Sequence, residues 1–112
     1  MQDMVSRYLD DLREDGGLKG VDIANIVDVS TATVSRWSTG RASPHPSTQL
    51  MISDLHYMVG RLREYYSSRE IRMWLYARHP QLDGARAIDL INDGRSEEVL
   101  AILDRLDAGA YL

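Results

Sequence analysis

An all-α fold is predicted for this 112-residue chain by three observations. Apolar residues recur at three- and four-residue spacing in most segments. Few segments alternate polar and apolar residues with the period of two that a strand requires. Between the helical stretches stand turn signals such as "DGG", "GRASPHPS", "RHPQLDGA" and "NDG".

Residues 3–14 place Met4, Tyr8, Leu9 and Leu12 at helical spacing, and "DGG" at 15–17 stops that helix. Residues 20–27 put Ile23, Ala24 and Val27 on one face of a short second helix. Asp28 follows, a residue type that tolerates a left-handed turn. Ser30 is the expected N-cap of a third helix from Thr31 to about Thr39, ended by Gly40. Pro44 and Pro46 then interrupt any helix. Residues 48–66 read as a long helix, roughly 30 Å at about 1.5 Å per residue. Its apolar stripe is Leu50, Met51, Leu55, Met58, Leu62 and Tyr65, widened by Ile52, Val59 and Tyr66. A helix over about 68–77 carries Ile71, Met73, Trp74 and Leu75. A short helix spans 86–92, and a last one spans 96–108 with Val99, Leu100, Leu103 and Leu106 inward. The expected organisation is a helix-turn-helix module over 1–47, a connecting or dimerisation helix over 48–66 and a small helical domain over 67–112.

Composition narrows the function. Hydrophobic residues make up 44% and charged residues 27% of the chain, an ordinary globular balance. The absence of cysteine excludes disulfides, thiolate catalysis and Cys-based zinc sites. No run of 18 apolar residues occurs, so no membrane span is expected. The first residues lack an apolar signal core, and a cytoplasmic location is expected. His45, His56 and His79 lie on three different segments, and adjacent carboxylates such as Asp10 and Asp11 diverge on a helix. Neither arrangement suggests a metal site, a cofactor or an enzyme. With 13 Lys and Arg against 17 Asp and Glu, the net charge is −4. It is unevenly spread: −2 over 1–47, +2 over 48–80 and −4 over 81–112. The last third is therefore a poor nucleic-acid surface and a better protein surface.

The wheel of the third helix divides its residues by role. At about 100° per residue, Val34 and Trp37 share one side and would bury. The opposite side holds Ala32, Ser35 and Arg36, with Thr31 and Thr33 at its flanks and Arg41 just beyond. Recognition helices contact bases from their N-terminal residues, and Arg can bond guanine in two places. Ser and Thr hydroxyls also bond phosphates.

The stretch 21–44 resembles the Xre/Cro-type helix-turn-helix family through Ile23, Ala24, Val27, Val29, Ser30, Val34, Ser35, Arg36, Trp37, Gly40 and Pro44. That resemblance implies base reading by Thr31, Ala32, Thr33 and Arg36. Gly20 departs from it, standing where many relatives place a phosphate-bonding Gln. Residues 70–112 run Trp-Leu, a Pro, Leu-x-Gly, "DLI", Gly94, then Val99, Leu103, Leu106 and Gly109. This order resembles the toxin-binding domain of the Xre/MbcA/ParS antitoxins, nearest to MbcA-like antitoxins of RES-domain toxins that degrade NAD. Ala87 departs from the pattern, because a Pro is common there.

The resemblance implies a cognate toxin as partner, operator DNA as a second ligand and an oligomeric toxin–antitoxin complex. It points to Trp74, Leu75, Leu82, Ile88, Val99, Leu103, Leu106, Gly109, Ala110, Tyr111 and Leu112 as the toxin-binding set. It further implies that "GAYL" at 109–112 obstructs the toxin's active site. Two alternatives stay open on the residues themselves. Trp74 and Leu75 also suit a core, and Tyr111 and Leu112 could pack on this chain. A different function class, a stand-alone transcription regulator dimerised by its C-terminal helices, fits the same pattern.

Overall fold

Helix α1 (Met4–Glu14) begins on Asp3, whose side chain accepts a hydrogen bond from the Ser6 amide at 2.8 Å. The computed structural model describes residues 3–109. Val5, Leu9 and Leu12 face the core, whereas Met4, expected in the stripe, is 41% exposed. Gly16 and Gly17 end α1. Gly17 has φ +64, and a Cβ there would lie 2.8 Å from the Ser68 carbonyl oxygen. Only glycine allows both the left-handed backbone and this close approach.

Helices α2 (Gly20–Val27) and α3 (Thr31–Ser38) are joined as the sequence predicts. Asp28 adopts φ 60° and ψ 55°, the Val29 amide bonds the Ala24 carbonyl at 2.9 Å, and Ser30 caps the Thr33 amide at 3.1 Å. The long helix α4 is Pro46–Leu62, offset from the expected 48–66 at both ends. Pro46 occupies the first turn, where its missing N–H leaves nothing unpaired. Beyond Leu62 the chain turns, with the Tyr65 and Tyr66 amides both bonding the Leu62 carbonyl. The ensuing turn leads to Ser67, which caps α5 (Ser68–Tyr76) in a reciprocal pair with Glu70.

The segment "RHPQLDGA" is more than a break. Arg78–His79 (β1) pairs antiparallel with Ala85–Arg86 (β2), and a 3-10 turn over Pro80–Leu82 closes the ribbon. Two residues per strand are too few to show periodicity, so the sequence pattern could not reveal it. Helices α6 (Ala87–Asn92) and α7 (Ser96–Asp107) complete a fold that is otherwise all-α.

Helix α4 packs against α1 and α2 and also against α6 and α7. Buried residues from all three segments join one core, in which Leu9, Val34, Leu55, Leu75 and Val99 are fully enclosed. The Cα radius of gyration is 13.6 Å. A compact domain of about 100 residues has roughly 13 Å. Several stripe residues face outward instead: Leu50 is 63% exposed, Tyr65 47% and Met73 60%. Leu100 and Leu106 are half-buried, and Ile102, absent from the expected stripe, is buried. The reason is common to these positions. One helix meets several neighbours at different angles, so its buried face drifts from the ideal wheel.

Candidate nucleic-acid and partner interfaces

Side-chain placement on α3 follows from its two faces. Val34 and Trp37 are buried against α1 and α2, while Thr31, Ala32, Ser35, Arg36 and Arg41 are exposed and Thr33 is half-buried. The Arg36 guanidinium donates to the Thr33 hydroxyl at 3.1 Å, and that hydroxyl shares a 2.9 Å bond with Ser30. Arg36 is thus drawn back over the N-terminal turn of α3 with most of its donors exposed. At the other end of the helix, Arg13 of α1 donates to the Ser38 hydroxyl at 3.0 Å. A Cβ at Gly20 would lie 3.8 Å from the same guanidinium. The surface carries hydroxyl and guanidinium donors and no buried charge, which suits contacts to phosphates and base edges.

One carboxylate near this module is buried. Asp22 of α2 accepts from the Lys19 amide at 2.8 Å, from Arg72 at 3.1 Å and from the Tyr76 hydroxyl at 2.5 Å. Arg72 and Tyr76 belong to α5, and the Asn92 amide of α6 bonds the Ile26 carbonyl at 2.7 Å. Helix α2 is therefore bolted to the C-terminal segment by polar bonds as well as by the core. Burial pushes the Asp22 carboxyl up, but hydrogen bonds from Tyr76, the Lys19 backbone and Arg72 outweigh it, and the carboxyl titrates below its ordinary value. Burial, then the bond to Asp22, push the Tyr76 phenol up to about 12. The sequence reading missed this group. Its one local signal is Asp22 three residues after Lys19, the spacing of a helix-start carboxylate.

Asp22→Asn is expected to cost about 1–3 kcal/mol near neutral pH, since the Lys19 amide and Arg72 lose their anionic acceptor. A carboxyl with a lowered folded pKa contributes stability above its unfolded value of about 3.9 and loses it as pH falls through the folded value. The gap between wild type and variant should therefore narrow below about pH 4. Urea unfolding at pH 7 and pH 3 checks this, and a gap that is constant with pH would refute it.

In the C-terminal segment most of the predicted toxin-binding residues point inward. Leu75, Val99 and Leu103 are enclosed, and Leu82, Ile88 and Trp74 are buried. Trp74 packs on the His79 ring at 4.5 Å, and His79 Nε2 lies 2.8 Å from the Trp74 carbonyl oxygen. Most of these side chains shape the surface from beneath, and Trp74 keeps one edge at the surface. Leu106 is half-buried and Gly109 exposed. Ala110, Tyr111 and Leu112 lie outside the described residues. Apolar surface is also exposed in a shallow trough lined by Tyr66, Met73, Trp74 and Ala77 together with Glu70.

Among the described residues no cluster of three or more His, Asp or Glu is placed to hold a metal ion. His56 instead bonds Asp11 at 2.9 Å and stacks on Tyr8. Among the same residues no helix is long and apolar enough to cross a membrane.

Comparison with known proteins bears on the chain as a whole. No family model matches it. It is 27% identical over 96 residues to the mycobacterial cidal antitoxin MbcA of Mycobacterium tuberculosis, covering 86% of this chain and 85% of that protein. It is 32% identical over 96 residues to a probable mycobacterial cidal antitoxin of the same organism, covering 86% and 82%. A chain in the crystal structure of the M. tuberculosis MbcT–MbcA toxin–antitoxin complex superposes with a TM-score of 0.85 at 24% identity, over 98% of this chain and 99% of that one.

Proposed function

This chain belongs to the mycobacterial cidal antitoxin family, and we propose that it binds and neutralises a cognate toxin as one half of a type II toxin–antitoxin pair in the cytoplasm. The observation that carries the reading is the 86% of the chain shared with antitoxins, a span that includes both the helix-turn-helix and most of the C-terminal segment. The toxin-binding part is residues 67–112. The partner is a RES-domain toxin that degrades NAD. This chain performs no chemistry, and inhibition is steric: residues 109–112 obstruct the toxin's active site. Tyr111 combines a large apolar face with a hydroxyl, the makings of an interface anchor.

The test is co-expression with the toxin of the neighbouring reading frame, followed by growth measurement and pull-down. Restored growth with co-purification is expected. A chain that leaves the toxin active and unbound, yet dimerises and binds its upstream DNA tightly, would instead be a stand-alone regulator.

The helix-turn-helix is proposed to bind the operator of the same pair and repress it, in an oligomeric complex with toxin. Few phosphates are within reach of one module, so useful affinity needs a dimer or the toxin-bound assembly. Arg36→Ala should cost about 1–3 kcal/mol for operator DNA if Arg36 reads a base. Binding should also weaken steeply with added salt through counterion release. Titration of labelled operator at two salt concentrations checks both. An Arg36→Ala protein with wild-type affinity and an intact fold would remove Arg36 from the readers.

A further inference from the structure

Arg61 occupies the last turn of α4, and its side chain is only 17% exposed. Its guanidinium lies over the Tyr57 ring, 5.5 Å from the centroid. It pairs with Asp104 at 2.9 Å and with Oδ2 of Asp107. The other oxygen of Asp107 accepts from the Tyr65 hydroxyl at 2.8 Å. Both carboxylate oxygens of Asp107 are thus taken by groups 46 and 42 residues away in sequence. The hydrogen bond from Tyr65, then the one from Arg61, hold the Asp107 carboxyl below its ordinary value.

The local choice of residues is unfavourable. Asp104 and Asp107 stand in the last turn of α7, where the negative end of the helix dipole disfavours carboxylates. Dipole considerations alone would place lysine or arginine there. The two acids make sense through Arg61, which pairs with both from another helix and offsets one of their two charges. The clamped residue is also close to the exit point of the chain. Gly109, two positions on, has φ 86 and turns the backbone out of the helix.

We propose that Arg61 and Tyr65 are positioning residues for toxin inhibition: by gripping Asp107 they hold the last turn of α7 fixed, and the affinity that residues 109–112 contribute depends on that hold. This rests on the reading of 109–112 as the obstructing segment. The physical benefit is preorganisation. A segment leaving a fixed helix end loses less freedom on docking than one leaving a frayed end.

A plain structural brace would stabilise the fold without caring whether the segment is present. Asp107→Asn and Tyr65→Phe separate the two cases when made in the full chain and in a chain lacking residues 109–112. Tyr65→Phe keeps the ring and removes one hydrogen bond, so it should fold even if Asp107→Asn frays α7. The measurements are calorimetric affinity for the purified toxin of the neighbouring reading frame and thermal melting. Each variant should weaken toxin binding about tenfold in the full chain and less than about twofold in the shortened chain, because coupled groups give non-additive losses. Full-chain affinities equal to wild type, or equal losses in both backgrounds, overturn the proposal. A parent deletion that itself leaves affinity unchanged overturns the obstructing-segment reading, and the inference with it; there the silent change is the deletion and not the clamp variant.

Discussion

Trp37→Ala is expected to destabilise the protein by about 3–5 kcal/mol, the usual cost of emptying a buried aromatic site. Trp37 is 4% exposed and lies in the same core as Leu9, Leu12, Ile23 and Val34. Its neighbours belong to α1 and α2, which cannot collapse into the space without losing their own packing. Domains of this size are stable by about 5–15 kcal/mol in total, so the loss is a large share. At roughly 4 °C or more per kcal/mol, the melting temperature should fall by more than about 10 °C. Arg36→Ala, one residue away on the exposed face, should stay within about 0.5 kcal/mol. The contrast is the useful measurement. If the Trp37 variant melted within a degree or two of wild type, the faces of α3 would be assigned backwards, and a different set of side chains would become the candidate DNA readers.

Deleting residues 109–112 should damage toxin neutralisation far more than folding. If Tyr111 and Leu112 are interface anchors, their loss could cost about 2–4 kcal/mol of binding. That is roughly 30- to 800-fold in affinity. Stability should change little under this reading, in which the apolar side chains of the stretch serve the toxin and not this chain's own core. Operator binding by a toxin-free dimer of the chain should also persist, since α3 ends at Ser38, far from the cut in sequence. The assay is growth of cells expressing the toxin with the full or shortened chain, with melts of both as the folding control. Full rescue by a shortened chain that melts normally would move the inhibitory surface back along the C-terminal segment. The trough of Tyr66, Met73, Trp74 and Ala77 would then be the first place to look.

The sequence by itself determined most of the helices, the turn between α2 and α3 and the two faces of α3. These features are written in neighbouring residues. The Ser30 cap, the left-handed Asp28 and the three-residue step from Val34 to Trp37 each act over one helical turn, so local patterns suffice to read them. The resemblance to antitoxins rests on similar short motifs, and the antitoxin relatives agree with it. Only the tertiary structure decided which side of α4 and α5 is covered, turning Leu50 and Met73 outward and most of the expected toxin-binding residues inward. It alone brought Asp22 to Tyr76 and Asp107 to Arg61, pairs 54 and 46 residues apart. A charged side chain reveals its own chemistry in sequence but not its partner. The partner is set by how separate helices pack, and packing sums many weak contacts across the whole core.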